Sequence, residues 1–195
     1  MAETEISRAV LVTPPAAEPV TLAQAKKQLE LASSDTAHDA HLALLIQAAR
    51  EQWEADTDSC CLTQTWKVYA EEFDDDELYL PKRPIQSITH VKYYDASNVQ
   101  QTLSTSVYSL DDAERAVRLD SLQVWPAVYD RFDAITITFV AGYTSAAAVP
   151  AIHKQAILLL IGKYFENRDL QVNDVIFKDA AYEALVTKFM RSNYP

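Results

Sequence analysis

His38 and His41 stand three residues apart at the start of a helical stretch, which would put both imidazoles on one face, as metal chelation requires. No third ligand follows at a recognised spacing, so solvated helix-start histidines are the plainer reading, and no metal or cofactor is expected. Cys60 and Cys61 would offer a nucleophile if His90 or His153 served as base, yet nothing in the sequence brings them together. Small buried residues where helix passes to strand is the plainer role. A bond between neighbouring cysteines closes no useful loop, so both read as reduced thiols of a cytoplasmically made chain. The run 71–77 (EEFDDDE) would attract Ca²⁺ or Mg²⁺, but it lacks the glycine and the terminal glutamate spacing of a calcium loop. A solvated hairpin tip fits better, because like charges prefer water. In 164–169 (YFENRD), Glu166, Arg168 and Asp169 make an active-site cluster, a helix end or inter-subunit ion pairs. No nucleophile or oxyanion-hole sequence accompanies them, which favours the structural roles.

An enzyme would need a polar pocket gathering two or more of His90, His153, Asp112 and Glu114. The strings G-x-S-x-G, H-E-x-x-H and C-x-x-C do not occur. The two glycines, Gly142 and Gly162, are too far apart to cradle a phosphate, which excludes nucleotide-binding loops of the Walker and dinucleotide types. No catalytic residue is expected, and the chain reads as a non-enzyme.

The elements that would position these groups follow from periodicity. Residues 1–20, with Pro14, Pro15 and Pro19, read as an extended arm. Thr21 caps a helix over 22–31, and Asp35 or Thr36 caps a second running to about residue 58, with Leu42, Leu45, Ile46, Ala49 and Trp53 at helical spacing. Alternation then takes over at 63–69 and 85–94, 78–80 follows the acidic turn ahead of Pro81 and Pro84, and 99–103, 107–110, 116–119 and 134–140 read as further strands. The last of these, AITITFV, is the best strand in the chain. A helix follows Pro150; its six apolar residues, 156–161, wrap the helix completely and need apolar neighbours from the same domain or another copy. Residues 171–178 read as a connection, Asp179 caps a final helix, and 191–195 form a short extended tail. The fold class expected is α+β: a bundle of N- and C-terminal helices (21–61 and 144–191) with an inserted antiparallel β-rich unit (62–143), the arm 1–20 and a tail at 192–195.

Composition agrees. With 49% apolar residues among 195, the chain can build a core, while a net charge of -11 argues against tight phosphate binding. No stretch has membrane length, and the N-terminus lacks the layout of a signal peptide.

The strings LPKRPIQSITHVKYYDASNVQQTL (80–103), DAITITFVAGY (133–143) and VPAIHKQAILLLIGKYFENRD (149–169) resemble head–tail connector proteins of long-tailed phages and gene transfer agents. These are also called adaptor or head-completion proteins. The likeness spans about residues 20–190. It implies a virion protein at the head–tail junction, made in the host bacterial cytoplasm and forming a ring, typically dodecameric, below the portal. Such a ring extends the DNA channel and docks neck or tail-completion proteins. The implied partners are its own copies, the portal protein and those neck proteins; DNA is met only in passage, without sequence-specific binding, and no membrane is involved. An acidic channel wall would let phosphates slide. Candidate subunit or portal contacts are Trp125 and Tyr129 in a β-unit loop, Glu166, Arg168 and Asp169 at a helix end, and Phe189 and Tyr194 near the C-terminus. The alternative is a non-enzymatic binding module whose β unit recognises a peptide or carbohydrate.

Overall fold

The computed structural model describes residues 6–73, 77–111, 116–166 and 180–193. The chain is α+β and divides into two compact units: Met1–Ala16 with Thr63–Tyr143, and Ala17–Leu62 with Thr144–Pro195.

The second unit holds the helices α1 (Leu22–Gln28), α2 (Asp39–Thr57), α3 (Ala151–Glu166) and α4 (Ala180–Asn193). Thr21 begins α1 with a reciprocal cap. The Gln24 N–H donates to Thr21 Oγ1 at 3.2 Å, while Gln24 Oε1 accepts from the Thr21 N–H at 2.8 Å. Such a cap contributes about 1 kcal/mol. The apolar run of α3 is covered within this unit. Ala156, Ile157, Leu160 and Ile161 are buried in one cluster with Leu42, Ile46, Ala49 and Trp53 of α2, and Leu158 packs against the same cluster. Residues of α1, α2 and α4 thus cover most of the all-round apolar run, while Leu158 and Leu159 stay half-buried.

One buried cation ties the unit's chain segments together. Arg50 Nε donates to Glu18 at 2.8 Å and its Nη1 to Glu54 at 2.9 Å, while the second oxygen of Glu54 accepts from the Cys61 N–H at 2.7 Å. Burial alone would make the guanidinium easier to deprotonate; the two carboxylates outweigh it and hold Arg50 above its usual range. The segment before α1, the middle of α2 and the exit from α2 are thereby joined.

The first unit holds β1 (Ile6–Thr13), β2 (Gln64–Ala70), β3 (Glu77–Tyr79), β4 (Ile85–Tyr94), β5 (Gln100–Thr102), β6 (Tyr108–Asp111), β7 (Ala116–Leu119) and β8 (Ile135–Ala141). They form two antiparallel sheets, ordered β1-β2-β8-β4-β5 and β3-β7-β6. The strongest strand pattern lies at the centre of the larger sheet. Along β8, Ile135, Ile137, Phe139 and Ala141 face the core, while Thr136, Thr138 and Val140 share the other face.

Two expectations change. Within the segment read as an arm, Ile6–Thr13 is a strand, paired antiparallel with β2 from Ile6↔Ala70 to Thr13↔Thr65. Pro14 and Pro15 end this strand without preventing it, because an edge strand needs only one partner. The segment read as an extended tail from 191 is helical through Asn193. The connection at 171–178 and the Asp179 cap lie outside the described residues.

Because the α3 cluster closes within one chain, Trp53→Ala should cost about 3–5 kcal/mol in urea unfolding of the isolated protein. Leu44→Ala, on the exposed face of α2, should change stability by less than about 0.5 kcal/mol. Equal effects would mean that the covering surface is not the one described.

Candidate assembly surface

The structure does bring one cysteine to a histidine. Cys61 Sγ lies 3.9 Å from Nδ1 of His153, both fully buried, where α2 gives way to the sheet unit and α3 begins. Sequence spacing gave no sign of this, because 92 residues separate the two. The pair is not a nucleophile. Burial, then the nearby Glu54 carboxylate, pushes the thiol pKa far above its usual value, so no thiolate forms near neutrality. The imidazole is packed at 5.2 Å from the Trp53 ring and edge-on at 4.8 Å to Phe189. This is core packing around a protonated thiol.

His38 and His41 take packing positions. His38 is the residue before α2, and its ring meets Phe165 edge-on at 5.5 Å, with His41 at 6.3 Å from the same ring. A shared aromatic contact gives the pair a packing role. Among the described residues no group of three or more His, Cys, Asp or Glu side chains is placed to hold a metal ion. No helix among them is long and apolar enough to cross a membrane. His90 stands on β4 of the sheet unit, and Asp112 and Glu114 lie outside the described residues.

The candidate contact residues fall into three situations. Trp125 spends its ring on Phe73, stacked at 4.5 Å with 4° between planes, and is half-buried. Phe189 is likewise half-buried and spends its ring on Trp53 and His153, so it anchors the end of α4 to the helical core. Tyr129 and Glu166 are exposed, the first in the loop before β8 and the second at the last residue of α3. Arg168, Asp169 and Tyr194 lie outside the described residues.

The most exposed apolar side chains lie in the loop that carries Tyr129, which the sequence pattern did not single out. In the loop between β7 and β8, Leu122 is 99%, Val124 82% and Phe132 68% exposed. The base of this loop is pinned. The Tyr129 N–H donates to the Tyr94 carbonyl at 2.9 Å, Arg131 lies 4.0 Å from the Tyr94 ring centroid, and it pairs with Asp133 at 2.5 Å. Leu122 also adopts φ 66°, a left-handed conformation that costs a branched residue about 1 kcal/mol or more. A strained, fully exposed leucine in one loop with two more exposed apolar side chains is suited to cover by another protein.

No protein-family model matches the sequence, and no curated protein matches it. Solved structures do. The chain is similar to one in the virion of a native gene transfer agent particle, with 22% identity, 93% of this chain and 94% of the other covered, and a TM-score of 0.74. It is similar to a chain in the neck of an empty particle of that kind, computed with C6 symmetry, at 22% identity, the same coverage and a TM-score of 0.75. A third likeness is to a chain in the neck of the native particle computed with C12 symmetry, at 22% identity, 93% coverage of each chain and a TM-score of 0.65. At that identity the likeness establishes a shared fold running from end to end of both chains.

Both cysteines are sealed and Cys61 is held protonated, so a thiol-reactive disulfide reagent should titrate neither in the native chain and both in denaturant. Rapid native labelling of either thiol would contradict this packing.

Proposed function

We propose that this chain is a structural protein of a virion neck, the head–tail connector that its sequence resembles. In this reading its copies form a ring below the portal, continue the DNA channel and offer a docking surface to neck or tail-completion proteins. The observation that carries the reading is the end-to-end fold likeness, 93% of this chain against 93–94% of chains in gene transfer agent virions and necks. Necks computed with C6 and C12 symmetry are consistent with a ring of identical copies.

Physical features support the same assignment. The loop carrying Leu122, Val124, Tyr129 and Phe132 supplies apolar area, on a pinned base, for a neighbour to cover. The buried polar groups of the helical unit, Arg50 with its carboxylates and Cys61 with His153, serve packing and give no reason to invoke a reaction. An acidic balance of 28 carboxylates to 17 Lys and Arg suits a conduit that must not grip DNA. For portal contact we favour the segment 191–195 with Tyr194, carried beyond the anchor that Phe189 provides; Glu166, Arg168 and Asp169 at the end of α3 are the candidates for inter-subunit ion pairs.

Imaging of the intact particle should locate the chain as a ring at the head–tail junction; density elsewhere, or single isolated copies, would overturn the assignment. Deleting residues 191–195 should leave a chain that unfolds at nearly the same temperature but is missing from portal-containing heads. Normal incorporation of that truncation would remove the portal-contact proposal alone.

A further inference from the structure

The five-stranded sheet is free of negative charge. None of the 28 acidic residues of the chain lies in β1, β2, β4, β5 or β8, while Arg8, Lys67, His90 and Lys92 do. Register places these four on one face. Arg8 pairs with Tyr69, Tyr69 with Thr136, and Thr136 with Lys92; in the next row Val10 pairs with Lys67, Lys67 with Thr138, and Thr138 with His90. Directly paired residues point the same way, opposite to the buried Ile135, Ile137 and Phe139. The row from Arg8 to Lys92 crosses four strands, about 14 Å at about 4.8 Å per step. Its charges sense one another: partial burial, then Lys92 and Lys67, lower the His90 pKa and keep the imidazole neutral near pH 7.

Elsewhere in the chain several cations are paired: Lys26 with Asp39, Arg50 with Glu18 and Glu54, Arg118 with Glu77 and Asp111. Among the described residues Arg8, Lys67 and Lys92 have no carboxylate partner. Thr138, between Lys67 and His90, is only 6% exposed, and its hydroxyl has no partner among the described residues. A face of three unpaired cations around an unsatisfied hydroxyl is made for an anionic occupant.

We propose that the occupant is the acidic segment 71–77 of a second copy, so that successive copies join head to tail through the β1-β2-β8-β4 face of one and the acidic segment of the next. Charge decides between this and the other polyanion, DNA. Three cations release few counterions, giving a salt slope near −3 and only weak phosphate binding, and the chain's net charge of -11 repels a duplex at long range. The same chain carries the complement, five carboxylates within residues 71–76 ahead of Glu77, which Arg118 already holds. Glu71 and Glu72 are exposed, and Phe73 fixes the start of that segment by stacking on Trp125. In the ring reading the contact runs from the face of one copy to the segment of the next, and it closes when the turn per copy permits. The proposal rests on the connector reading and adds to it which surfaces meet. It also takes the sheet's cations out of the channel.

The test is charge exchange in the full-length chain, read by sedimentation velocity at low and high salt. Wild-type protein should associate with rising concentration at low salt and dissociate as salt screens the contact. R8E/K67E/K92E and E71K/E72K/D74K/D75K, each folded by circular dichroism, should each shift association to concentrations about tenfold higher or more. Mixed in equal amounts they should associate again, because alternating copies restore every contact. Failure of the mixture to recover, a monomeric wild type throughout, or a carbodiimide link from Lys67 or Lys92 to segment 71–77 found only within one copy would each overturn the contact. So would retardation of a short DNA duplex by wild type that is lost in R8E/K67E/K92E. A chain imaged in the neck ring while the exchange fails would leave the connector reading standing without this contact.

Discussion

The helical unit depends on one constraint: a helix with no polar side has to be surrounded. Ala156 to Ile161 offer apolar surface in every direction, and α1, α2 and α4 supply walls for all of it but the half-buried Leu159 side. Trp53 sits at the centre, touching His153, Tyr182 and Phe189 from two other helices. Each buried aromatic of this size contributes several kcal/mol of burial, so the helices order around it more than around any hydrogen bond. Once that cluster forms, most polar groups inside it are satisfied locally, the Trp53 indole N–H being left without a partner among the described residues. Arg50 is held by two carboxylates, Tyr182 donates to Asp56 at 2.6 Å, and the Cys61 thiol stays protonated beside His153.

Charge is handled differently in the helical core and on the open face of the five-stranded sheet, and solvent explains why. A cation in the helical core without a partner would cost several kcal/mol, so Arg50 and Lys26 have carboxylates within 3 Å. On the sheet face water solvates Arg8, Lys67 and Lys92, and leaving them unpaired costs little. Their isolation therefore does not arise from folding energetics; it comes from the absence of any carboxylate in five strands of an acidic chain. The loop with Leu122 and Phe132 is the same kind of feature in apolar form: surface that the monomer tolerates and an assembly would use.

Much of the architecture was legible in the sequence. Period-2 and period-3.6 patterns locate four helices and six of the eight strands among the described residues, and AITITFV, the strongest strand pattern, is central in the larger sheet. Strand β1 was missed because three prolines dominate its neighbourhood, and prolines bound an edge strand as readily as they mark an arm. The candidate site was less legible. Trp125 and Phe189 were chosen for being aromatic near chain features that suit contact, but aromatic rings satisfy one another first, and theirs went to Phe73, Trp53 and His153.

Residue order alone settled the fold class, the order of elements, the absence of phosphate-cradling glycine loops and the resemblance to connectors, since each rests on local period, spacing or composition. Tertiary structure decided which apolar surface is hidden and which is left over, that Cys61 meets His153, and that four basic residues from three strands share one face. Those outcomes depend on register and packing between segments as far apart as residues 8 and 92, a separation over which no local pattern carries information.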